Sequence, residues 1–275
     1  MKLFKDLLSY EDYLKIHPFH KNLNLDLSEY GKLDKKVKRG IYDTVDPDNK
    51  IPFSTELDDL IRLHYLVTSR KVTTILEFGI GCSTIAFDHA LESNKAKHKE
   101  YIKNNLRRSN VFECHSIDNN KEWIDYTKKQ YSSTSNVNFH YSDCHVSTFN
   151  ERMCTYYDDV PNICPDLIYL DAPDQFSPKG DIRGLSLRNS DRLPMAADIL
   201  TIEHFLLPGT LIIVDGRTAN ARFLKCNLQR NWEHHHSVEH DAHYFELKET
   251  PLGIFNEKQI SFCLGDDWLN EINNK

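Results

Sequence analysis

The stretch VTTILEFGIGCST, residues 72–84, decides the fold. An apolar run of strand length ends here in Gly79 and Gly81, and a serine and a threonine follow. This order predicts a buried strand, a glycine loop and the start of a helix, as in the first unit of an open α/β sheet. Glycine lets a ligand approach the backbone, and the N–H groups at the start of a helix favour polar or anionic ligand groups. We expect a nucleotide-type ligand at this loop, and a tight turn without a ligand is the alternative.

Further stretches of strand length follow along the chain, and most of them are separated by helical stretches. The predicted strands are 72–79, 111–118, 137–143, 166–172, 210–216, 236–247 and 259–265. The predicted helices are about 54–70, 83–108, 120–131, 195–206 and 220–231. Such alternation requires crossover connections, so we predict a doubly wound α/β fold, a seven-stranded and mostly parallel sheet with helices on both faces. The loop between the last two strands is too short for a crossover helix, so we expect a C-terminal antiparallel hairpin at one edge of the sheet.

The chain has 275 residues, which fits one large domain with an appendage. We expect residues 1–53 to form an N-terminal appendage of helix and loop, and residues 54–275 to form the α/β domain. Within that domain, the connection 172–194 is far longer than the ~2–6 residues usual between a strand and its helix. Long connections of this kind are usually functional or disordered, and we predict an insert that binds the substrate.

Composition excludes several classes of protein. Lys and Arg number 34 against 41 Asp and Glu, a net charge of −7 that argues against a nucleic-acid partner. The seven cysteines are scattered and form no CxxC pair, so neither a disulfide framework nor a zinc ribbon is expected. No signal peptide is recognisable, and no run reaches the ~18 apolar residues of a membrane span. We therefore predict a cytoplasmic protein with reduced thiols and no membrane partner, and the oligomeric state stays open, a homo-oligomer included.

Four consecutive predicted strands end in an aspartate, namely Asp118, Asp143, Asp171 and Asp215. Because the carboxyl ends of parallel strands share one edge of a sheet, these residues should line a cleft. Asp118 could accept hydrogen bonds from both hydroxyls of a ribose, and Asp143 could reach an adenine amino group. For each aspartate, the cap of a helix or a turn is the alternative. Thr84 replaces the third glycine of the dinucleotide fingerprint, which disfavours a pyrophosphate ligand.

The motifs LEFGIGCS, SIDNN, SDC, DLIYLDAP and LLPGTLIIVDG resemble, in this order, the class I S-adenosylmethionine-dependent methyltransferases, over roughly 54–265. The resemblance implies a Rossmann-like domain that uses S-adenosylmethionine as its cofactor. It implies contacts to the amino acid part of the cofactor from Glu77, Gly79, Gly81 and Ser83. It also implies ribose contacts at Asp118 and Asn119, adenine contacts at Asp143 and Cys144, and Asp171 beside the transferred methyl. Two features depart from the family: Glu77 and Phe78 replace a commoner start with Asp, and the first crossover is longer.

A metal site is an alternative that we do not assign. Asp171 and Asp215, with Asn220 close behind, resemble the catechol-type O-methyltransferases, in which strand-end acids bind a divalent cation such as Mg²⁺. The match is partial because Gly216 stands where that group has Asn or another acid. The five histidines of 232–245 predict a solvated edge strand, so no zinc is assigned there.

The reaction implied by the resemblance requires few catalytic groups from the protein. The sulfonium of S-adenosylmethionine is already an activated methyl donor, so the protein has mainly to align the acceptor with it. A base is needed only if the acceptor must lose a proton. Asp171 and Asp174 are the catalytic candidates, although the histidines are not excluded as the base. Asp171 could instead contact the cofactor or cap a helix.

The insert 172–194 is rich in basic side chains, and these indicate an anionic acceptor. We predict substrate contacts from Gln175, Arg183, Arg188, Arg192 and Arg217. Arginine forks suit carboxylate or phosphate, although a solvated loop whose charges pair with one another is the alternative. The function expected is methyl transfer to a small molecule, at an oxygen of an anionic metabolite or a nucleotide-linked sugar. A nicotinamide-dependent oxidoreductase and a non-catalytic module that binds an adenosyl ligand are the other hypotheses.

Overall fold

The computed structural model describes residues 3–23, 56–130, 135–189 and 191–274. Nine strands lie in these ranges, in a sheet of seven strands and a separate sheet of two. The strands are β1 Thr74–Phe78, β2 Glu113–Asp118, β3 Val137–Tyr141, β4 Cys144–Phe149, β5 Arg152–Tyr157, β6 Leu167–Leu170, β7 Leu211–Asp215, β8 Trp232–Ser237 and β9 Ala242–Leu247. The helices are α1 Tyr10–Ile16, α2 Leu57–Ser69, α3 Cys82–Asn105, α4 Lys121–Gln130, α5 Asp198–Ile202, α6 Thr218–Asn227, α7 Ile254–Leu264 and α8 Asp266–Asn273. Short 3₁₀ helices lie at Phe19–Leu23 and Glu203–Phe205.

The strand order of the large sheet is β3-β2-β1-β6-β7-β9-β8. Strands β1, β2, β3, β6 and β7 run parallel, and β9 is antiparallel to both β7 and β8. The predicted fold class, a seven-stranded and mostly parallel sheet with a C-terminal antiparallel hairpin, is confirmed. The chain order reverses between β1 and β6, and open α/β sheets bind their ligands in the crevice at such a point. That crevice lies at the carboxyl ends of β1 and β6.

Alternate residues of the central strands supply two hydrophobic cores, one on each face of the sheet. Ile75 and Ile213 face the core that contains α2 and α3. Leu76 and Ile212 face the other core, which contains α5, α6 and the hairpin of β4 and β5. Strands buried on both faces account for the unbroken apolar runs in the sequence.

The N-terminal segment departs from the expected appendage. Tyr13, Leu14, Phe19 and Leu23 are buried in the same core as α2 and α3. The described residues 3–23 are therefore part of the main body, whereas residues 24–55, which include the predicted boundary at 53, lie outside the described residues.

Two predictions near the C-terminus are wrong. The stretch 259–265, predicted as a strand, belongs to α7, whose buried Ile260 packs against α8 through Trp268 and Leu269. The stretch 236–247, predicted as one strand, contains the turn between β8 and β9, in which Asp241 has a φ of 45°. The antiparallel hairpin therefore exists, but β8 and β9 form it.

The hairpin of β4 and β5 was not predicted, and the predicted helix 195–206 is shorter. Only α5 and a 3₁₀ turn occupy that range. The other predicted helices are present as α2, α3, α4 and α6, with ends that differ by a few residues, as is usual. No helix in the described ranges is both long and apolar enough to cross a membrane.

Candidate functional site

The loop after β1 is built on a glycine that no other residue can replace without strain. Gly79 has a φ of +103°, and a Cβ there would lie 3.1 Å from Cβ of Ala172 and 3.2 Å from the carbonyl carbon of Asp171. Its N–H donates to the carbonyl of Ile117 at 2.9 Å. Gly81, at the start of α3, has nothing within 4 Å of the position of its missing Cβ. The loop therefore packs tightly against the turn after β6 at Gly79 and leaves open space at Gly81.

Glu77 stabilises this loop through hydrogen bonds of its buried carboxyl. Its side chain is fully buried and accepts hydrogen bonds from Ser83 Oγ at 2.6 Å, from Thr84 Oγ1 at 2.7 Å and from Ser116 Oγ. Burial raises the pKa of Glu77 to about 7. The Thr84 hydroxyl also accepts from the N–H of Gly81 at 3.0 Å, so the threonine in the third glycine position bridges loop and carboxyl. These bonds place Glu77 and Ser83 as supports of the loop, and their contact with a cofactor stays a prediction.

Asp118 at the end of β2 also holds the loop. Its carboxyl accepts from the backbone N–H of Ile80 at 3.1 Å and of Asn120 at 2.8 Å, and burial raises its pKa. The alternative that Asp118 caps α4 is wrong, because the side chain of Asn120 accepts from the N–H of Trp123 at 3.0 Å. Asn119 turns the other way and donates to Ser177 Oγ of the insert at 2.8 Å.

Asp143, after β3, is tied to the insert. Its carboxylate accepts from Tyr141 Oη at 2.6 Å and pairs with Lys179 Nζ at 2.7 Å. The Lys179 ammonium and then the Tyr141 hydroxyl lower the pKa of Asp143. Cys144 is buried opposite Tyr157 in the hairpin of β4 and β5, and burial raises the pKa of its thiol. Asp143 is therefore better placed than the buried Cys144 to contact an adenine.

Asp171 and Asp215 end adjacent strands, and different partners hold them. Arg217 donates to Oδ1 of Asp171 at 3.3 Å, to the carbonyl of Asp171 at 2.6 Å and to that of Pro173 at 2.8 Å. Arg217 thus fixes the turn after β6, which contains the cis bond between Ala172 and Pro173. Asp215 accepts from Tyr169 Oη at 2.6 Å, and burial followed by the charge of Asp171 raises its pKa to about 6.

The three residues considered for a cation do not fit one. Asn220 is fully buried. Its side-chain Oδ1 accepts from the N–H of Ala196 at 3.0 Å, and its Nδ2 donates to the carbonyl of Ala196 at 3.2 Å. The guanidinium of Arg217 already lies against Asp171. Asp215 alone keeps a carboxyl without a cationic side chain bonded to it, which is too few ligands for Mg²⁺.

The insert 172–194 is ordered by its own polar side chains. Asp174 Oδ1 accepts from the N–H of Phe176 at 2.7 Å and of Ser177 at 3.0 Å, which makes Asp174 a turn residue. Gln175 is buried and donates to the carbonyl of Asn189, and Arg192 donates to the carbonyl of Ser186 at 2.7 Å. Gln175 and Arg192 therefore shape the insert, and their substrate contacts stay predictions.

Two of the predicted arginines of the insert are exposed. Arg183 has a φ of 57° at the tip of a turn. Arg188 lines a cavity of about 400 Å³ together with Ser177, Lys179 and Ser186. The lining contains two cationic side chains and two hydroxyls, which suit an anionic group, and one carboxylate, that of Asp181.

The hairpin of β4 and β5 is the platform on which the insert lies. The N–H of Val146 donates to the carbonyl of Lys179 at 2.8 Å, and the N–H of Lys179 donates to the carbonyl of Cys144 at 2.8 Å. The sequence analysis did not single out Tyr157, which lies opposite Cys144, or Tyr169, which bonds to Asp215. It counted Lys179, the partner of Asp143, only among the basic residues of the insert. Tyr169 was detectable, because it lies two residues before Asp171 and so on the same face of its strand.

No protein-family model matches the chain, and neither does any curated protein sequence. Among solved structures, the chain is similar to the SAH-bound Podospora anserina methyltransferase PaMTH1, with a TM-score of 0.41 and 13% sequence identity. The alignment covers 90% of this chain and 92% of that chain.

Proposed function

We propose that the protein is an S-adenosylmethionine-dependent methyltransferase. The observation that carries the proposal is the glycine loop at the point where the strand order reverses, with Gly79 packed against the turn after β6 and open space beside Gly81. The start of a 24-residue helix, α3, follows directly, and its first N–H groups favour the carboxylate of an amino acid. Asp118 and Asp143 extend the same edge in the order in which a ribose and an adenine would follow.

The residues present fit this cofactor, and each would have a distinct task. S-adenosylmethionine supplies a methyl group on a sulfonium, which needs no further activation. The loop of Gly79 and Gly81 would hold its amino acid part, Asp118 its ribose hydroxyls and Asp143 its adenine. Asp118 is suited to the ribose because its two backbone donors leave lone pairs on both oxygens.

The acceptor proposed is a small anionic molecule held by the insert. Arg188 lines the cavity described above and would bind its carboxylate or phosphate, and Lys179, which also pairs with Asp143, adds a second positive charge there. Asp171 is the proposed proton acceptor for a hydroxyl, because its carboxyl is exposed and Arg217 keeps it in place. Asp174 is less suited to this role, since the backbone of the insert already uses one of its oxygens.

Titration calorimetry tests the proposal directly. The wild-type protein should bind S-adenosylmethionine and S-adenosylhomocysteine, and it should not bind NAD. Asp118→Ala should weaken both adenosyl ligands by about 1.5–3 kcal/mol, because two hydroxyls lose a charged acceptor. Asp125→Ala, on the exposed side of α4, is the control.

Failure of both adenosyl ligands to bind at millimolar concentration would refute the proposal, and binding of NAD instead would favour the oxidoreductase. Turnover separates an enzyme from a binding module. Methyl transfer to a panel of anionic hydroxy compounds is expected, and binding without transfer to any of them would favour the module.

A further inference from the structure

The hydroxyl of Tyr157 is a buried donor without a partner. Tyr157 ends β5 and is 4% exposed, and its Oη has no hydrogen-bond partner among the residues that the structure describes. The hydroxyls of Tyr13, Tyr141 and Tyr169, by contrast, all have partners. Buried polar groups are almost always hydrogen-bonded, so an exception needs a physical reason, such as a ligand or a water molecule.

Tyr157 is held firmly in its position. Its N–H donates to Oδ1 of Asp198 at 2.9 Å, and its backbone pairs with Cys144 across the hairpin. The N–H of the next residue, Asp158, donates to the carbonyl of Asp143 at 2.9 Å. The ring packs on Phe78, at 5.8 Å between centroids. The side chain is thus fixed between the end of β1 and the end of β3.

The charges around the hydroxyl belong to the candidate site. After burial, Asp118 has the largest effect on the pKa of Tyr157; Cys144 and Asp198 also raise it, and Arg217 lowers it. Burial, helped by Asp118, raises the pKa of Tyr157, so the hydroxyl keeps its proton and can donate it at any physiological pH. An acceptor atom of a ligand would satisfy this donor.

We propose that Tyr157 Oη donates a hydrogen bond to the nucleoside part of the bound cofactor, and so selects for adenosyl ligands. This inference rests on the proposed function. The hairpin pairs Tyr157 with Cys144, next to Asp143, and its ring packs on Phe78 at the end of β1, so it lies near the strand ends expected to hold the cofactor. Ribose oxygens and adenine ring nitrogens are acceptors of the kind that the hydroxyl lacks.

The test compares Tyr157→Phe with wild type, by calorimetry with S-adenosylhomocysteine and with adenosine and by thermal unfolding without ligand. Removal of an unsatisfied hydroxyl should leave the melting temperature equal or higher. Both ligands should bind about three- to tenfold more weakly, since one hydrogen bond is lost. The control is Tyr156→Phe, on the opposite and half-buried face of the hairpin, which should change neither affinity.

Two outcomes would overturn the inference, and a third would overturn the function on which it rests. In the first, Tyr157→Phe binds both ligands as tightly as wild type does. If its melting temperature is also lower, the partner of the hydroxyl is a buried water molecule. In the second, the variant binds S-adenosylhomocysteine more weakly but adenosine as tightly as wild type does, which would place the contact outside the nucleoside. If wild type binds neither ligand, the proposed function fails, which is a different result.

A second measurement covers the case in which the phenylalanine variant does not fold. In full-length protein with 3-fluorotyrosine at position 157, the fluorine NMR resonance should shift when adenosine is added. An unmoved resonance at saturating adenosine overturns the inference.

Discussion

At the scale of single residues, the two glycines of the loop after β1 have different reasons to be glycine. Gly79 combines a φ of +103° with contacts that a Cβ would make at 3.1 and 3.2 Å. Gly79→Ala should therefore lower the free energy of unfolding by about 1–3 kcal/mol. The alanine would be strained at this φ, and its Cβ would press on the turn after β6. Urea denaturation measures this difference.

Gly81→Ala is the matched control for stability. The φ of Gly81 is −175°, an extended conformation open to any residue, and its Cβ would meet nothing within 4 Å. The free energy of unfolding should change by less than about 1 kcal/mol. Affinity for S-adenosylhomocysteine should nevertheless fall, because the methyl enters the space proposed for the ligand. Equal stability losses in the two variants would contradict this account of the loop.

Asp198 predicts an unusual pH dependence. Its Oδ2 is buried without a partner, and burial raises its pKa to about 7. An unfolded chain releases that proton near pH ~4, so between the two values the folded protein holds a proton that the unfolded chain has lost. The free energy of unfolding therefore falls as the pH rises through this window.

Asp198→Asn removes the titration and keeps an acceptor for the N–H of Tyr157. The variant should match wild type near pH 5 and exceed it by about 1–3 kcal/mol at pH 8, where the buried carboxylate is charged. Denaturation at both pH values, with the exposed Asp125→Asn as control, gives the comparison. A difference between variant and wild type that does not change with pH would rule out a buried titrating Asp198.

At the scale of elements, the strands that end in aspartates were predictable and the elements around them were not. The runs 167–170 and 211–214 contain no charged residue and are rich in Leu and Ile, as is typical of strands buried on both faces. The hairpin of β4 and β5 has no such run, because one of its sides stays partly exposed.

The error over 259–265 has a different cause. Its short apolar run suits either a strand or a buried helix, and the contact of Ile260 with the α8 residues Trp268 and Leu269 decides for the helix. The partners of the site residues depend on tertiary structure in the same way. Nothing in the sequence indicates that Lys179 reaches Asp143 or that Arg217 binds the turn after β6.

The insert offers an element-scale prediction that needs no knowledge of the acceptor. Arg192 donates to the carbonyl of Ser186, whereas Arg188 is exposed and lines the cavity. Arg192→Ala should speed amide hydrogen exchange in the segment 186–192, because that bond closes the loop. Arg188→Ala should leave exchange unchanged. Hydrogen exchange read by mass spectrometry distinguishes the two, and identical profiles would show that Arg192 does not hold the loop.

At the scale of the whole molecule, the N-terminal segment completes one face of the sheet. Tyr13 Oη bonds to His64 Nδ1 at 2.7 Å, and Phe19 stacks on the His64 ring at 4.7 Å between centroids. His64 Nε2 lies 2.9 Å from His89 Nδ1, so the segment, α2 and α3 are linked through one fully buried imidazole. Burial lowers the pKa of His64 well below its ordinary value, which keeps this imidazole neutral.

A chain that begins at residue 24 should therefore lose much of its stability. The deletion uncovers apolar side chains of α2 and leaves His64 without Tyr13 and Phe19. Each buried apolar side chain removed contributes about 1.5–3 kcal/mol, and four of them approach the ~5–15 kcal/mol by which domains are usually stable. Thermal unfolding and size-exclusion chromatography should find a protein that melts far below wild type or does not fold.

Two single substitutions keep this prediction specific. Phe19→Ala should lower the free energy of unfolding by about 3–5 kcal/mol, since the ring is fully buried against His64. Ile16→Ala should change it by no more than about 0.5 kcal/mol, because that side chain is 62% exposed. If the shortened chain and Phe19→Ala both melt like wild type, residues 3–23 form an appendage after all, and the core shared with α2 and α3 does not stabilise the protein.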